Sequence, residues 1–267
     1  MAINTITCNT LGRYGRLGNQ MFQIASTIGI ARRNNYAFAF PYWKNYDHLE
    51  RFGTSEDIDV QKYFKNKLPV YNGAVLPDNF IHWGYWPINL RGGSLSINGH
   101  MQSEKYFLHC ADEIRYYFEM IDEYPENDYC AIHVRLGDYD DNHHPRLKMD
   151  YYEKAMAMMP AGTKFRVYSD EIAKAAEMFP EKYNGEAIQF VVGKGSTEGN
   201  WLPGNYMDEF KAMKSCKHFI IGNSTFSWWP AWLSKSKDKI VVAPDKWFGS
   251  IANLSSGDIY CKNWKVI

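Results

Sequence analysis

The sequence has no long apolar run, and this lack predicts that the chain does not cross a membrane. No stretch approaches the roughly 20 consecutive apolar residues of a spanning helix. The amino terminus, Met-Ala-Ile-Asn-Thr-Ile-Thr-Cys, also lacks the charged and then apolar layout of a signal peptide. We therefore expect a cytoplasmic protein, and the only membrane association left open is peripheral contact with a membrane surface.

Net charge is also missing, because 30 lysines and arginines balance 30 aspartates and glutamates. A balanced chain has no strong positive field with which to hold a phosphate backbone. We therefore expect no nucleic-acid partner for this protein.

Cysteines are few and show no pattern. The five cysteines are widely scattered, their number is odd, and no Cys-x-x-Cys pair is present. This argues against a disulfide framework and against a structural zinc site, so we expect reduced thiols that lie mostly in the core. We predict no bound metal ion.

The length and the apolar content leave room for two modest cores. At 267 residues, with 45% hydrophobic and 16% aromatic residues, the chain fits two subdomains of ordinary size. The polar turn at residues 125–128, Pro-Glu-Asn-Asp, is the strongest candidate for the junction between them. We predict one domain at 1–125 and a second at 126–267.

The central segment is residues 130–139, Cys-Ala-Ile-His-Val-Arg-Leu-Gly-Asp-Tyr. Its apolar start lies between a turn and Gly137, which predicts a buried strand. His133 and Arg135 should point to the same face, because side chains repeat every two residues along a strand. An arginine at the carboxyl end of a buried strand can hold an anion in an open α/β sheet. The alternative is that Arg135 only pairs with Asp138.

A second polar segment leads into a helix. Residues 12–20 are rich in glycine, and apolar residues with helical spacing follow from Leu17 to Ala31. The unpaired amide groups at a helix amino terminus can bind an anion. The structural alternative for Asn19 is that it caps a helix that begins at Gln20.

The third polar segment, residues 208–229, predicts a helix, a buried strand and a Gly-Asn-Ser-Thr turn that opens another helix. Such a turn offers backbone amides and hydroxyl groups to a phosphate. The alternative is that Asn223 or Ser224 acts only as an N-cap.

The elements between these segments predict a parallel α/β sheet, because strands alternate with helices from residue 129 to 243. We expect a helix from Ser103 to about Met120, a helix capped by Asp150, a strand at 164–168 that is followed by Ser169 and Asp170, and a strand at 187–192. A glycine-rich loop at 193–204 is a candidate lid or a candidate segment for contacting the nucleoside. Aromatic residues that could either line an acceptor site or pack a core are Trp43, Tyr46, His48, Trp83, Tyr85 and Trp86.

Four segments resemble motifs of the α-1,2-fucosyltransferases of glycosyltransferase family 11, which share a superfamily with the α-1,6- and protein O-fucosyltransferases. They are Gly-Arg-Leu-Gly-Asn-Gln (15–20), Gln-Ser-Glu-Lys-Tyr-Phe (102–107), His-x-Arg-x-Gly-Asp-Tyr (133–139) and Cys-x-His-x-Ile-x-x-Asn-Ser-Thr-Phe-Ser-Trp-Trp (216–229). Pro230 departs from the family pattern, and so does the pair of His100 and Met101. The second departure concerns the acceptor side.

The resemblance implies an α/β, GT-B-like fold in which two Rossmann-like subdomains face a cleft. It implies an acceptor-binding first domain and a second domain that binds GDP-fucose, the donor substrate. The implied reaction moves L-fucose, with inversion, to the 2-hydroxyl of a terminal galactose in an oligosaccharide or surface glycan. No cofactor is implied beyond the donor substrate.

The resemblance also implies site residues. Arg135 would stabilise the charge on the leaving GDP, and Asp138 and Asn19 are the other catalytic candidates. The candidates for donor binding are Arg16, Gly18, His133, Ser169, Asp170, Asn223, Ser224, Thr225 and Ser227. The general base is left open among Asp138, Asp140, Glu104 and His143.

Other functions stay open beside this one. Asp-x-Asp patterns at 57–59 and 138–140 are typical of metal-dependent nucleotide-sugar transferases of another fold. A kinase or NTPase is disfavoured, because Gly-Lys-Gly-Ser at 193–196 lacks the spacing of a P-loop. The abundance of aromatic residues also suits a non-catalytic carbohydrate-binding protein.

Overall fold

The computed structural model describes residues 3–45, 59–81, 84–191, 205–252 and 254–267. The chain divides into two compact units. The first comprises Met1–Ile121 and Gly257–Ile259, and the second comprises Asp122–Ser256 and Tyr260–Ile267. The predicted junction at 125–128 lies shortly after the division between Ile121 and Asp122.

The first unit is built on a parallel sheet. Its strands within the described residues are β1 Thr5–Thr7, β2 Ala37–Phe38, β3 Asp78–Phe80 and β4 Leu95–Asn98, in the order β2-β1-β4-β3. Every neighbouring pair in this sheet is parallel. The segments that follow β1 and β4 therefore leave the same edge of the sheet, on neighbouring strands.

Helix α1, Leu17–Asn34, connects β1 to β2 and confirms the helix predicted from the apolar spacing. All residues from Gln20 to Ala31 are buried, so α1 is a central core helix rather than a half-exposed one. It begins after Arg16 and is followed by its C-cap residue, Asn35. The φ of Asn35 is 58°, the left-handed conformation typical of the residue after a helix. At Gly29 an added Cβ would collide with the carbonyl oxygen of Tyr106, so the two backbones approach closely there.

The prediction of one helix from Ser103 to about Met120 is wrong. The chain instead forms two short 3-10 turns, Glu104–Tyr106 and Leu108–Cys110, and then helix α2, Ala111–Tyr117. Phe107 interrupts the helix with φ −127° and ψ 0°, a conformation that buries its ring 6.2 Å from the ring of Phe22. Core packing has overridden local helix propensity here.

The aromatic residues of the first unit divide between core and surface. Trp43 is buried and stacks on Phe64 with ring centroids 5.2 Å apart, so it is a core residue. Trp86 is largely exposed. Tyr46, His48 and Trp83, which we considered as acceptor-site residues, lie outside the described residues.

The second unit is built on a larger parallel sheet. Its strands within the described residues are β5 Tyr129–Val134, β6 Lys164–Ser169, β9 Gln189–Phe190, β10 His218–Ile220, β11 Val241–Ala243 and β12 Lys265–Val266. The order is β12-β11-β10-β5-β6-β9, and every neighbouring pair is parallel. A separate antiparallel hairpin joins β7 Lys182–Tyr183 to β8 Glu186–Ala187. The parallel α/β prediction is therefore confirmed.

The helices of this unit within the described residues are α3 Met149–Ala157, α4 Ile172–Met178, α5 Asn205–Lys214 and α6 Thr225–Leu233. Strand β5 lies at the centre of the sheet, and its residues from Cys130 to Val134 are buried. Ile132 and Val134 belong to a cluster with Tyr152 of α3 and Val167 of β6. The predicted buried strand before Arg135 is therefore confirmed.

Two local predictions for this unit are wrong. Asp150 does not cap α3, which begins at Met149 after an extended Lys148 and has no side-chain cap. Asp150 lies in the first turn instead, where a negative charge still interacts favourably with the helix dipole. The strand expected at 187–192 is divided between β8 and β9. The glycine-rich loop at 193–204 lies outside the described residues.

Within the described ranges, no helix is both long enough and apolar enough to cross a bilayer.

Candidate active site

Three neighbouring strands of the second unit end at the candidate site. β5 is flanked by β6 and β10, with Val134 opposite Ser169 and Ile132 opposite Ile220. Arg135 therefore follows the central strand, while Asp170 follows the strand on one side and the 223–225 turn follows the strand on the other. The carboxyl edge of a parallel sheet is where open α/β proteins bind ligands.

The Arg135 guanidinium is held between two carboxylates. Its Nη1 lies 2.9 Å from Oδ2 of Asp170, and its Nη2 donates to Oδ1 of Asp138 at 2.5 Å. Burial opposes the charge, but Asp170 and Asp138 outweigh it and raise the pKa of Arg135 above its usual value. Its Nε is buried and has no hydrogen-bond partner within the described part of the chain. The site thus contains a fixed cation with an unused donor.

Asp170 fixes both the arginine and the turn that follows it. Its carboxylate also accepts hydrogen bonds from the backbone N–H groups of Leu136 (3.0 Å) and Gly137 (2.9 Å). A Cβ at Gly137 would lie 2.5 Å from Oδ2 of Asp170, so any larger residue there would displace this carboxylate. The described contacts of Asp170 are those of a positioning residue, and its predicted contact with the donor stays a prediction.

The two carboxylates beside Arg135 differ in exposure. The Asp138 side chain is 47% exposed, whereas that of Asp170 is 9% exposed. The pairing of Arg135 with Asp138, which the sequence left as an alternative, is therefore real but lies at the solvent side. An exposed ion pair adds little stability, so Asp170 is the main anchor of the arginine.

His133 lies two residues before Arg135, in β5, and only 4% of its surface is exposed. Its ring centroid is 5.8 Å from that of Phe226 at the start of α6. Burial lowers the pKa of His133 to about 4, Asp170 acts in the opposite direction, and Arg135 adds to the lowering. The imidazole is therefore neutral at pH 7. Its Nδ1 is buried, and no described residue forms a hydrogen bond with it.

The turn between β10 and α6 is rigidly held. The Asn223 amide donates to the carbonyl oxygens of Pro145 (3.0 Å) and Trp247 (3.2 Å), and the Tyr139 hydroxyl donates to the Asn223 carbonyl oxygen (2.7 Å). Ser224 is the N-cap of α6 and accepts from the N–H of Phe226. Ser224 therefore caps α6, its predicted contact with the donor stays a prediction, and the rest of this helix amino terminus remains a candidate anion site.

The remaining serines and Thr225 differ in their surroundings. Ser227 is buried, and its hydroxyl donates to the carbonyl oxygen of Ser224 at 3.2 Å. Ser169 is buried and accepts from the N–H of Glu171 at 3.0 Å. Thr225 is the first residue of α6 and is partly exposed. The predicted donor contacts of all three residues stay predictions.

The other predicted residues, Arg16, Gly18 and Asn19, belong to the first unit. Arg16 is the N-cap residue of α1 but makes no side-chain cap hydrogen bond, and Gly18 lies buried in the first turn. Asn19 is inside the helix, so the alternative that it caps a helix beginning at Gln20 is wrong. Its Oδ1 accepts from Nε2 of Gln102 at 2.8 Å.

The candidates for a general base are engaged in different ways. Asp140 accepts from the N–H groups of Asn142 and His143, both at 2.8 Å, and its Oδ2 lies 3.1 Å from Nδ1 of His143. These contacts stabilise the loop after Tyr139. In the Asp-x-Asp pattern at 138–140, one carboxylate thus pairs with Arg135 and the other closes its own turn. In the other pattern Asp59 caps a 3-10 turn, and Asp57 lies outside the described residues.

Sequence reasoning missed Glu209. It lies on α5 with only 8% of its surface exposed. Burial, and then the charge of Asp170, raise its pKa to about 7. The signal was present in the sequence, because Tyr206, Phe210 and Met213 form the buried face of this helix and Glu209 lies on that same face.

We expect Glu209→Gln to stabilise the protein above pH 7 by up to about 3 kcal/mol. A carboxyl whose pKa rises from 4.5 to about 7 on folding costs stability once the unfolded chain ionises. That cost grows as the pH rises from about 4.5 to about 7 and then stays constant. The melting temperature of the variant should therefore exceed that of the wild type by a margin that widens across this window.

The matched control is Glu153→Gln, which replaces an exposed glutamate on α3. Its melting temperature should follow the wild type at every pH. A constant difference between Glu209→Gln and the wild type at pH 5 and pH 8 would contradict the buried-carboxyl argument.

Comparison with known proteins identifies the family. The model of glycosyl transferase family 11 matches residues 2–267. The O-antigen biosynthesis glycosyltransferase WbnK of Escherichia coli is 39% identical over 44% of this chain and 38% of its own length. The alpha-1,2-colitosyltransferase of Escherichia coli is 28% identical over 88% of this chain and 90% of its own. Galactoside alpha-(1,2)-fucosyltransferase 2 of Rattus norvegicus is 25% identical over 84% of this chain and 66% of its own.

A solved structure supports the fold. The fucosyltransferase NodZ from Bradyrhizobium aligns with a TM-score of 0.51 at 11% sequence identity, over 86% of this chain and 93% of NodZ. This likeness concerns the fold alone, and it confirms the GT-B-like prediction. Because the family model covers nearly the whole sequence, the chain belongs to glycosyl transferase family 11.

Proposed function

We propose that this glycosyltransferase transfers L-fucose from GDP-fucose to the 2-hydroxyl of a terminal galactose, with inversion at the anomeric carbon. The observation that carries the proposal is the position of Arg135. It is fixed by Asp170 at the carboxyl edge of the second unit's sheet, on the strand beside the one that leads into the 223–225 turn. An arginine and a helix amino terminus on neighbouring strand ends suit a diphosphate.

The chemistry of transfer fits such a site. When the sugar leaves GDP, negative charge develops on the β-phosphate while the sugar becomes oxocarbenium-like. A cation that is already in position stabilises this charge without reorganisation during the reaction. Arg135 has that role in the proposal, the first turn of α6 supplies further donors, and the second unit binds the donor.

The identity of the sugar rests on resemblance. The four sequence motifs resemble those of α-1,2-fucosyltransferases, and the rat relative is a galactoside alpha-(1,2)-fucosyltransferase. The colitosyltransferase of Escherichia coli, which aligns over 90% of its length, makes transfer of colitose the second candidate. The acceptor, a galactose-terminated glycan, and peripheral membrane contact belong to the same proposal.

A transfer assay tests the proposal directly. The protein is incubated with lactose and either GDP-fucose or GDP-colitose, with and without EDTA. We expect a fucosylated trisaccharide whose new linkage is to the galactose 2-hydroxyl, in equal yield with the chelator, because Arg135 takes the role of a metal ion. Loss in EDTA that manganese restores would favour a metal-dependent transferase. Product from GDP-colitose alone would make colitose the donor sugar.

Nucleotide binding gives a second expected result. GDP should raise the melting temperature, and UDP and ADP should raise it far less. A ligand that binds only the native state adds about 2.7 kcal/mol at a hundred times its Kd. The Arg135 site is the reason to expect that a nucleoside diphosphate binds. The fucosyltransferase resemblance is the reason to expect that guanine is preferred over the other bases. Equal increases in melting temperature with all three nucleotides would support a diphosphate site but contradict the assignment of GDP-fucose as the donor.

A further inference from the structure

A second candidate binding site lies in the first unit, where two polar segments leave the same edge of the sheet. Because β1 and β4 are parallel neighbours, the loop at 8–16 and the segment at 99–103 begin side by side. Two pairs of side chains join these segments and the start of α1: the ring of Tyr14 lies against that of His100, and the amide of Gln102 bonds that of Asn19. We call them the amide–aromatic cluster.

The aromatic half of the cluster is a ring pair at the surface. The ring centroids of Tyr14 and His100 are 4.8 Å apart with an interplanar angle of 38°. Tyr14 is 42% exposed. Exposed ring faces of this kind can stack against the C–H face of a sugar, and binding sites combine such apolar surfaces with a few placed polar groups.

The polar half of the cluster is the hydrogen-bonded amide pair of Asn19 and Gln102. Gln102 donates through Nε2 to Oδ1 of Asn19 at 2.8 Å. Gln102 is only 8% exposed, and its buried Oε1 has no hydrogen-bond partner among the residues that the structure describes. A buried carbonyl oxygen to which no protein group donates can accept a hydrogen bond from a ligand. A sugar hydroxyl is such a donor.

The backbone that carries the cluster is strained and firmly held. Met101, between His100 and Gln102, has a φ of 46°, which is unfavourable for a residue other than glycine. Its carbonyl oxygen accepts from the Ser26 hydroxyl at 3.0 Å. On the other segment, buried side chains of α1 hold the loop: Gln23 donates to the Tyr14 carbonyl oxygen at 2.8 Å, and Gln20 donates to that of Gly15 at 2.7 Å. Strain held in this way is typical of functional sites.

We propose that the amide–aromatic cluster is a subsite for one neutral hexose unit of the acceptor glycan. The sugar's C–H face lies on the ring pair of Tyr14 and His100, and its hydroxyls bond the amides of Asn19 and Gln102. None of the four side chains is a carboxylate or an arginine, so the cluster suits an uncharged ligand. The assignment rests on the proposed function, because the acceptor of that reaction is the glycan bound here.

Kinetics with separate donor and acceptor constants test the subsite. Tyr14→Ala should raise the KM for lactose at least tenfold, while kcat at saturating lactose changes less than threefold and the Kd for GDP is unchanged. Tyr14→Phe keeps the ring and should restore a wild-type KM. The control is Tyr42→Ala, which removes an exposed tyrosine of the same unit that is bonded to Asp59. An unchanged KM for lactose in Tyr14→Ala would overturn the subsite.

A binding experiment separates this inference from the transfer reaction. Lactose is titrated into the wild type and into Tyr14→Ala without any donor, and saturation transfer to the sugar protons is measured by NMR. If wild-type protein binds lactose and the variant does not, the subsite stands even where no fucose is transferred. If neither protein binds lactose, or if both bind it equally, the subsite is overturned whatever the outcome of the transfer assay.

Discussion

Arg135→Lys is expected to lower kcat about a hundredfold while the protein stays folded. The guanidinium spans from Asp170 to Asp138 with two different nitrogens and keeps its Nε buried without a partner. Lysine has the same charge on a single nitrogen, so it cannot contact both carboxylates and also present a fixed donor to a phosphate. A loss of about 3 kcal/mol of transition-state stabilisation corresponds to this factor. The measurement is kcat for transfer, with the melting temperature taken on the same preparation.

The matched control is Arg146→Lys in the same unit. Arg146 donates through Nε to the carbonyl oxygen of Leu136 at 3.0 Å, and its side chain is exposed. It therefore lies beside the same turn without contacting the two carboxylates of Arg135. We expect nearly wild-type turnover from this control. If Arg135→Lys and Arg146→Lys lost activity equally, the special role of Arg135 would be disproved.

Local patterns predicted the parts of the site that depend on neighbouring residues. The buried strand before Arg135 and the helix after residue 16 were predictable, because the spacing of apolar residues determines both. The Ser224 cap was also predictable, because its hydroxyl bonds an amide only two residues away.

Contacts between distant residues were not predictable from local patterns. Asp170 and Arg135 are brought together only by the pairing of β5 with β6, and no spacing in the sequence specifies that pairing. Glu209 is 39 residues from Asp170 in the sequence, and only the fold brings the two carboxyls close enough to interact. Phe107 likewise ends a helix because its ring has a place against Phe22. Sheet order and core shape decided these features, and a single sequence does not show them.

Asp170→Ala is expected to lower the free energy of unfolding by about 3 kcal/mol, the largest loss of stability that we predict. Removing one partner of a buried ion pair leaves the other charge without compensation. Asp170 also accepts from the N–H groups of Leu136 and Gly137, and both would lose their partner. Chemical denaturation with a linear extrapolation measures the change. Asp138→Ala removes the other carboxylate from the same arginine, but at a side chain that is 47% exposed, so it should cost less than about 1 kcal/mol.

The Asp170 variant also has an expected effect on its titrating neighbours, and this separates an electrostatic role from simple packing. The charge of Asp170 raises the pKa of Glu209 and acts to raise that of His133. Asp170→Asn nearly preserves the shape but removes the charge, so both pKa values should fall. Glu209 would then ionise below its wild-type pKa of about 7. The pH range between its unfolded and folded pKa values, over which its cost to stability grows, would become narrower. NMR titration of the Glu209 carboxyl in wild type and Asp170→Asn measures this. An unchanged Glu209 pKa in a folded Asp170→Asn protein would show that the two carboxyls do not interact, and that burial alone raises the pKa of Glu209.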